Sequence, residues 1–496
     1  MFEHVLPAAL LLGLCAMTVA AAAAEPTLTP VRKVIELAVG ETANVTLADG
    51  TTATVKLLGI DATMDTLDSG VREGRARVEV NGRQATLVSA NYTLPVTVGG
   101  VRIDCPITRS WYASTNADRW GLGKDARLRL WPGRGPLLKA GTFVYPVRQR
   151  WFASDTQMAN EPVFVDAGER GRKKIYYHSG LDFGGAEGMV DVLAAADGLV
   201  VSAGGETLPD YKEHGPVGPR YDVVYVLEAR GWFHRYSHLK EIDKAVRPGA
   251  RVAMGQTIGL LGKEGGSGGW SHLHFEIKTL QPSGQWGTEE AYAYVWEAYA
   301  DQVKPPLLAV ARPHKFVAAG EQVTLDATRS QAFGGEIDRF EWTLTDGTRA
   351  IGPTVKQTYK APGTYSEIVK VTDARGRTAW DFCVVQVVDP KALDNLPPTV
   401  HAAFAPTQGV KAGDAVTFKV RSFRTKATGE VWDFGDGSPK VEVKSDANAS
   451  VHNPNGYGVT VHRYAKPGDY LASVEHTAPN GFPAVGRVWV HVEKAP

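Results

Sequence analysis

The chain has 496 residues, 43 % of them hydrophobic, and its 54 Lys and Arg are matched by 54 Asp and Glu. That length is too great for one hydrophobic core and implies about three to five domains. The apolar content excludes a chain disordered throughout, and the charge balance gives no electrostatic reason to expect nucleic acid or an anionic membrane as partner.

Residues 1–24 come first. Val5 to Ala24 is apolar or small apart from Thr18 and ends in Ala20–Ala24 before Glu25-Pro26. An apolar run closed by small residues reads as a secretory signal peptide cleaved near Ala24, so the protein is expected in the periplasm, cell envelope or extracellular space. The segment before the run holds Glu3 and His4 but no Lys or Arg, which leaves an uncleaved anchor as the alternative. Leu14 precedes Cys15, so a lipoprotein signal is rejected. No later stretch is long and apolar enough to cross a bilayer, and no membrane span is expected in the mature chain.

Residues 25–140 read as an accessory β domain. Val45 and Leu47 alternate before Asp49-Gly50, with Ala53, Val55 and Leu57 after it; Val78 and Val80 precede Asn81-Gly82, with Ala85 and Leu87 after it. Period-two patterns around Asp-Gly and Asn-Gly predict hairpins. The segment has no histidine and no visible chemistry. The mature cysteines, Cys105 and Cys383, are far apart and read as small buried hydrophobes rather than as a disulfide framework or a zinc knuckle.

Residues 141–303 carry the chemistry. His178 and Asp182 are four apart, but Gly180 and Asp182-Phe183-Gly184-Gly185 argue for a loop rather than a helix. In Ser271-His272-Leu273-His274-Phe275-Glu276-Ile277 the apolar residues alternate with His272, His274 and Glu276, so a strand would point both imidazoles to one side. Tyr236-Ser237-His238-Leu239 lies between. Each piece alone reads as an ordinary strand face or surface turn. Together, two imidazoles and a carboxylate make the three-ligand set of a catalytic zinc site that keeps one position open. Thr288 to Val303 is expected as one closing helix before Pro305-Pro306.

Residues from about 175 to 280 resemble the M23 metallopeptidases, the LytM or lysostaphin family. The family's His-x-Gly-x-Asp matches His178 to Asp182, and its Ala-x-Asp-Gly-x-Val matches Ala195 to Val200. Its Tyr-x-His-Leu matches Tyr236 to Leu239, and its Val-x-x-Gly-x-x-Val-x-x-Gly-Gln-x-Ile-Gly matches Val246 to Gly259. Its His-Leu-His-Phe-Glu matches His272 to Glu276. The resemblance implies Zn2+ held by His178, Asp182 and His274, with His238 and His272 as catalytic histidines that do not bind the metal. It implies a peptidoglycan peptide or a Gly-rich peptide as substrate. A degenerate, non-enzymatic wall-binding or amidase-activating relative is the alternative, and the complete set of five residues speaks against it. Glu276 is expected as a structural carboxylate, and His214 in a loop near the cleft rim. His234 shares the strand parity of His238, which makes it a candidate neighbour of the site that ranks below the five. Gly265 to Ser271 departs from the family pattern, with Trp270 unusual, as does the long stretch Glu206–Asp222.

Residues 307–390 and 398–494 look like two copies of one unit. The first has Phe340 to Gly347 and then Gly363-Thr364-Tyr365; the second has Trp432-Asp433-Phe434-Gly435-Asp436-Gly437 and then Gly468-Asp469-Tyr470. Strands ending in Asp-Gly suit small β-sandwiches, and these resemble the immunoglobulin-like PKD domains. That resemblance implies a rigid spacer, or a module that contacts wall or glycan. A chain ending near Val303 is therefore expected to cleave a small soluble peptide at close to the full-length rate. The expected fold class is thus mainly β and multidomain: an N-terminal β domain, an M23-like antiparallel β-sheet domain and two PKD-like sandwiches.

Overall fold

The structure is a computed structural model that describes residues 26–64, 67, 70–114, 118–164, 175–212 and 215–494. The leader segment 1–24 and His214 lie outside the described residues. The described chain is mainly β, and no helix in it is long and apolar enough to cross a membrane.

Two four-stranded antiparallel sheets open the chain. In one, Thr42–Thr46, Thr52–Met64, Val71–Val80 and Arg83–Val88 pair in sequence order. Its hairpins turn where the sequence places them: Thr46 pairs with Thr52 across Asp49-Gly50, and Val80 pairs with Arg83 across Asn81-Gly82. Asn81 and Gly82 both take positive φ, 48° and 77°, as a two-residue turn that follows the strand twist requires. Val45, Leu47, Ala53, Val55, Leu57, Val78 and Leu87 all face a core shared with the second sheet. Cys105 lies in that core and Cys383 in the first sandwich; both are buried free thiols.

The next sheet runs in the order Leu181–Gly184, His272–Leu280, Phe233–Ser237, Val224–Glu228, Gly198–Ala203, Glu206–Thr207. Leu181, Phe183, Tyr236, Leu273, Phe275 and Ile277 turn to one face and fill the core below it. That core also takes Tyr92 and Trp131 from the N-terminal region and Tyr292, Tyr294, Val295 and Tyr299 from the one α-helix among the described residues. The helix spans Tyr292–Val303, not the whole of 288–303. Thr288 and Glu289 end the strand Trp286–Glu289, and Glu289 and Glu290 are buried as acceptors for arginines. The Arg129 guanidinium donates to Asp104 (3.0 and 2.5 Å), to Glu289 Oε1 (2.9 Å) and to the Glu290 carbonyl (2.5 Å), while Arg32 donates to Glu289 at 2.6 and 3.0 Å. These charges tie the N-terminal sheets to the central sheet.

Two sandwiches complete the chain, with Trp342 and Trp432 in their respective cores. They are not independent beads. Gly363–Asp373 of the first and Pro483–Val492 of the second meet at Thr364 and Ala484, so one nine-stranded sheet crosses both. Nor do they stand off as a spacer. The Arg312 guanidinium lies over the Phe152 ring at 4.4 Å and donates to the carbonyls of Thr156 (2.9 Å) and Ser154 (3.0 Å). Arg150 stacks on Trp489 at 3.8 Å, and Lys419 donates to the Glu187 carbonyl at 2.7 Å.

Candidate active site

Strand register builds the site. Leu181–Gly184 runs antiparallel to His272–Leu280 with Asp182 opposite His274 and Gly184 opposite His272. The alternation that sends Leu273 and Phe275 to the core sends His272, His274 and Asp182 to the other face. The sequence suggested a loop for His178 to Asp182. His178 and Gly180 do precede the strand, but Asp182 lies on it, directly across from its partner.

His274 Nδ1 is 2.9 Å from Asp182 Oδ1, and His178 Nε2 is 3.5 Å from Asp182 Oδ2. One ligand atom from each of His178, Asp182 and His274 lies within 4.8 Å of the others. Gly180 makes this convergence possible. Its φ is +116°, and a Cβ there would lie 2.6 Å from His274 Cε1. Its N–H donates to Asn160 Oδ1, a support the sequence did not point to. Gly180→Ala is expected to push the His274 ring aside and weaken metal affinity about 10- to 100-fold, the range for residues that support ligands. Competition with a zinc chelator measures it, and an unchanged affinity would refute this role for Gly180.

The electrostatics fit a cation. Burial works against ionisation of Asp182, yet His178, His272 and His274 hold its carboxyl well below the usual range. Burial lowers His272 to about 4 and His274 to about 3, against the pull of Asp182, so both are neutral near pH 7. Among the described residues no Lys or Arg pairs with Asp182. Asp182 thus faces the neutral His272 and His274 with no described Lys or Arg paired to it, and a divalent ion held by the trio would supply a counter-charge.

Two further imidazoles stand beside the trio. The His272 and His238 rings are 4.7 Å apart, and His272 Nε2 is 3.6 Å from Asp182 Oδ1. Each donates Nδ1–H to a backbone carbonyl: His272 to Trp270 at 3.0 Å, His238 to Glu264 at 2.7 Å. A carbonyl can only accept, so Nδ1 carries a proton in each ring, and in the neutral His272 ring Nε2 keeps its lone pair. His238 follows the strand Phe233–Ser237 with φ +68°, a left-handed conformation held by the bond from its N–H to Asp222 Oδ2 (3.0 Å). Bonds from His238 and Arg220 keep Asp222 well below the usual carboxylate range despite its burial. Nothing in the sequence singled out Asp222 for this work.

That turn also corrects the expectation for His234. Strand parity fails once the backbone reverses at His238. His234 is fully buried between Phe143 and Phe275, with burial lowering it to about 3. Glu276 faces Arg235, Lys278 and Thr288 at 3.3, 3.2 and 2.5 Å and acts as a structural acceptor. A cleft of about 280 Å³ opens over Asp182 and His272. Its walls include His314 and Lys315 of the first sandwich and Val400 and Arg424 of the second, and no described residue of 25–140.

The profile described as "Peptidase family M23" matches residues 176–285, and two profiles for the PKD domain match 303–387 and 401–484. The chain carries a family M23 peptidase domain followed by two PKD domains. Solved structures with local similarity include a LytM protein of Ruminococcus gnavus, 21% identical over 32% of this chain and 61% of that one, TM-score 0.20. The catalytic domain of the prophage-encoded M23 protein EnpA from Enterococcus faecalis is 24% identical over 25% of this chain and 85% of its own, TM-score 0.18. Csd3 of Helicobacter pylori is 16% identical over 47% and 56%, TM-score 0.19. The chain thus spans less than two thirds of the LytM and Csd3 chains. At these scores the likenesses add nothing to the geometry of the M23 site.

Proposed function

We propose that this chain is an exported, zinc-dependent endopeptidase that hydrolyses peptide cross-links of bacterial peptidoglycan. The observation that carries the reading is the convergence of three candidate ligands within 4.8 Å of one another, with two further imidazoles beside them. His178, Asp182 and His274 would hold the ion. Zinc in such a set supplies Lewis acidity toward a carbonyl and toward water. His238 and His272, each anchored through Nδ1 to a backbone carbonyl, would take a proton from the attacking water and return it to the leaving amine. The leader-like residues 1–24 support export, and the PKD domains support contact with wall or glycan.

Purified protein is expected to hold about one zinc per chain, as one such site requires. Elemental analysis that finds none, even after reconstitution, removes the basis of the reading. The substrate is tested by mass spectrometry of purified wall fragments after incubation with the protein. New amine and carboxyl ends at a peptide cross-link support the reading. Intact fragments, with a Gly-rich peptide cleaved instead, would move the substrate from wall to protein.

A further inference from the structure

Gly265-Gly266-Ser267-Gly268-Gly269-Trp270-Ser271 leads into the strand that carries His272 and His274. Gly265, Gly268 and Gly269 all have positive φ. Such a run has large conformational freedom of its own, which ordering it must overcome. Yet every residue from 268 to 271 is held from outside, by the second PKD sandwich. Asn448 donates its side-chain amide to the Gly268 carbonyl at 3.1 Å, and Arg421 donates to the Gly269 carbonyl at 2.9 Å. The Trp270 ring lies flat on Phe423, centroids 4.2 Å apart and planes 8° apart. The Ser271 N–H donates to the Tyr457 hydroxyl at 2.8 Å, and that hydroxyl is 2.8 Å from His401 Nδ1. Arg421 is itself fixed by two bonds to Asp446, at 2.8 and 2.9 Å.

The loop matters because of what its carbonyl does. Trp270 O accepts the Nδ1–H of His272 and so sets the plane of that ring and the nitrogen that keeps its lone pair. We infer that the second sandwich is a positioning element of the active site: by clamping Gly268 to Ser271 through Asn448, Arg421, Phe423 and Tyr457, it fixes the carbonyl that orients His272. This rests on the peptidase reading above. Tyr457, Phe423 and Arg421 reach the chemistry only through the loop, so they are positioning residues.

Tyr457→Phe in the full chain tests the clamp. It removes one hydroxyl, keeps the ring, and leaves the buried Ser271 N–H without its partner. Misorienting an acid–base group can cost up to about 100-fold, and the loss of one of four clamps is expected to lower kcat about tenfold on a soluble peptide. KM and zinc content should stay as in the wild type. Hydrogen exchange should quicken in residues 263–274. Tyr464→Phe is the control: its hydroxyl donates to the Phe434 carbonyl at 3.1 Å inside the same sandwich. It should leave kcat and exchange in 263–274 unchanged. The inference is overturned if Tyr457→Phe keeps kcat within twofold, if Tyr464→Phe loses as much, or if zinc is lost along with kcat. A zinc-loaded wild type that cleaves no peptide would sink the peptidase reading instead. Exchange in 263–274 would still judge the clamp, and unchanged protection in Tyr457→Phe would dismiss it.

Discussion

His274→Ala is expected to abolish both metal retention and hydrolysis, whereas His272→Ala keeps the metal and loses most turnover. The two residues are neighbours on one strand face, but they are wired differently. His274 Nδ1 lies 2.9 Å from Asp182 Oδ1 and completes the trio. Its removal leaves two ligands and a buried carboxylate with less to stabilise it. His272 is outside the trio and hangs from the Trp270 carbonyl, with Nε2 turned toward the site. A positioned acid–base group contributes about 10²- to 10⁴-fold, and that is the expected fall in kcat for His272→Ala. Zinc by elemental analysis and kcat on one soluble peptide, measured on both variants, separate the roles. Loss of zinc in His272→Ala would show that this division of the pair is wrong.

Arg129→Ala is expected to destabilise the protein by about 3–5 kcal/mol, the range for removing one partner from a buried ion pair. The Arg129 side chain is 0 % exposed and is bonded to Asp104, Glu289 and the Glu290 carbonyl at once. Its loss strands carboxylates that cannot reach water. The deficit should depend on pH. Burial would raise Glu289, but Arg32 and Arg129 hold it at about 2. A carboxyl depressed in the folded state contributes stability above its unfolded pKa, near 4.3, and loses it as pH falls toward 2. The wild type therefore has more to lose in acid than the variant, and the gap between them should shrink as pH falls. Urea unfolding at neutral and at mildly acidic pH measures both. A neutral-pH difference under about 1 kcal/mol, the scale of an exposed pair, would mean the network is not what joins the N-terminal sheets to the central one.

Features with a local cause were legible in the sequence. The Asp-Gly and Asn-Gly turns hold because their geometry needs only adjacent residues, and the His272–Ile277 alternation holds because a strand has period two. Features that depend on partners far along the chain were not. Glu289 and Glu290 look like helix-start carboxylates until Arg32 and Arg129 arrive from more than 150 residues upstream. Parity misplaced His234 because one left-handed residue, His238, resets it. The register that sets Asp182 against His274 leaves no trace in either segment alone. Trp270 stood out as an oddity, but its partner Phe423 could not be named, because stacking of two rings across domains has no sequence period. The expected rate for a chain ending near Val303 changes for the same reason. With Asn448, Arg421, Phe423 and Tyr457 gone, the glycine loop keeps only its bonds within the peptidase domain, and that chain should be slower on soluble peptide as well as on wall.

The order in which the chain is made gives this architecture a built-in timer. Synthesis runs from the N-terminus, and domains generally fold as they emerge. The residues of the trio, at 178, 182 and 274, are in place long before Tyr457 exists. Through that interval the loop preceding His272 has only its bonds within the peptidase domain, such as Gly269 N–H to Ser267 Oγ and Gly185 N–H to the Ser271 carbonyl. A half-made chain would hold the trio and an oriented His238 but lack the contacts that clamp the loop before His272, and its full cutting power would arrive with the last domain.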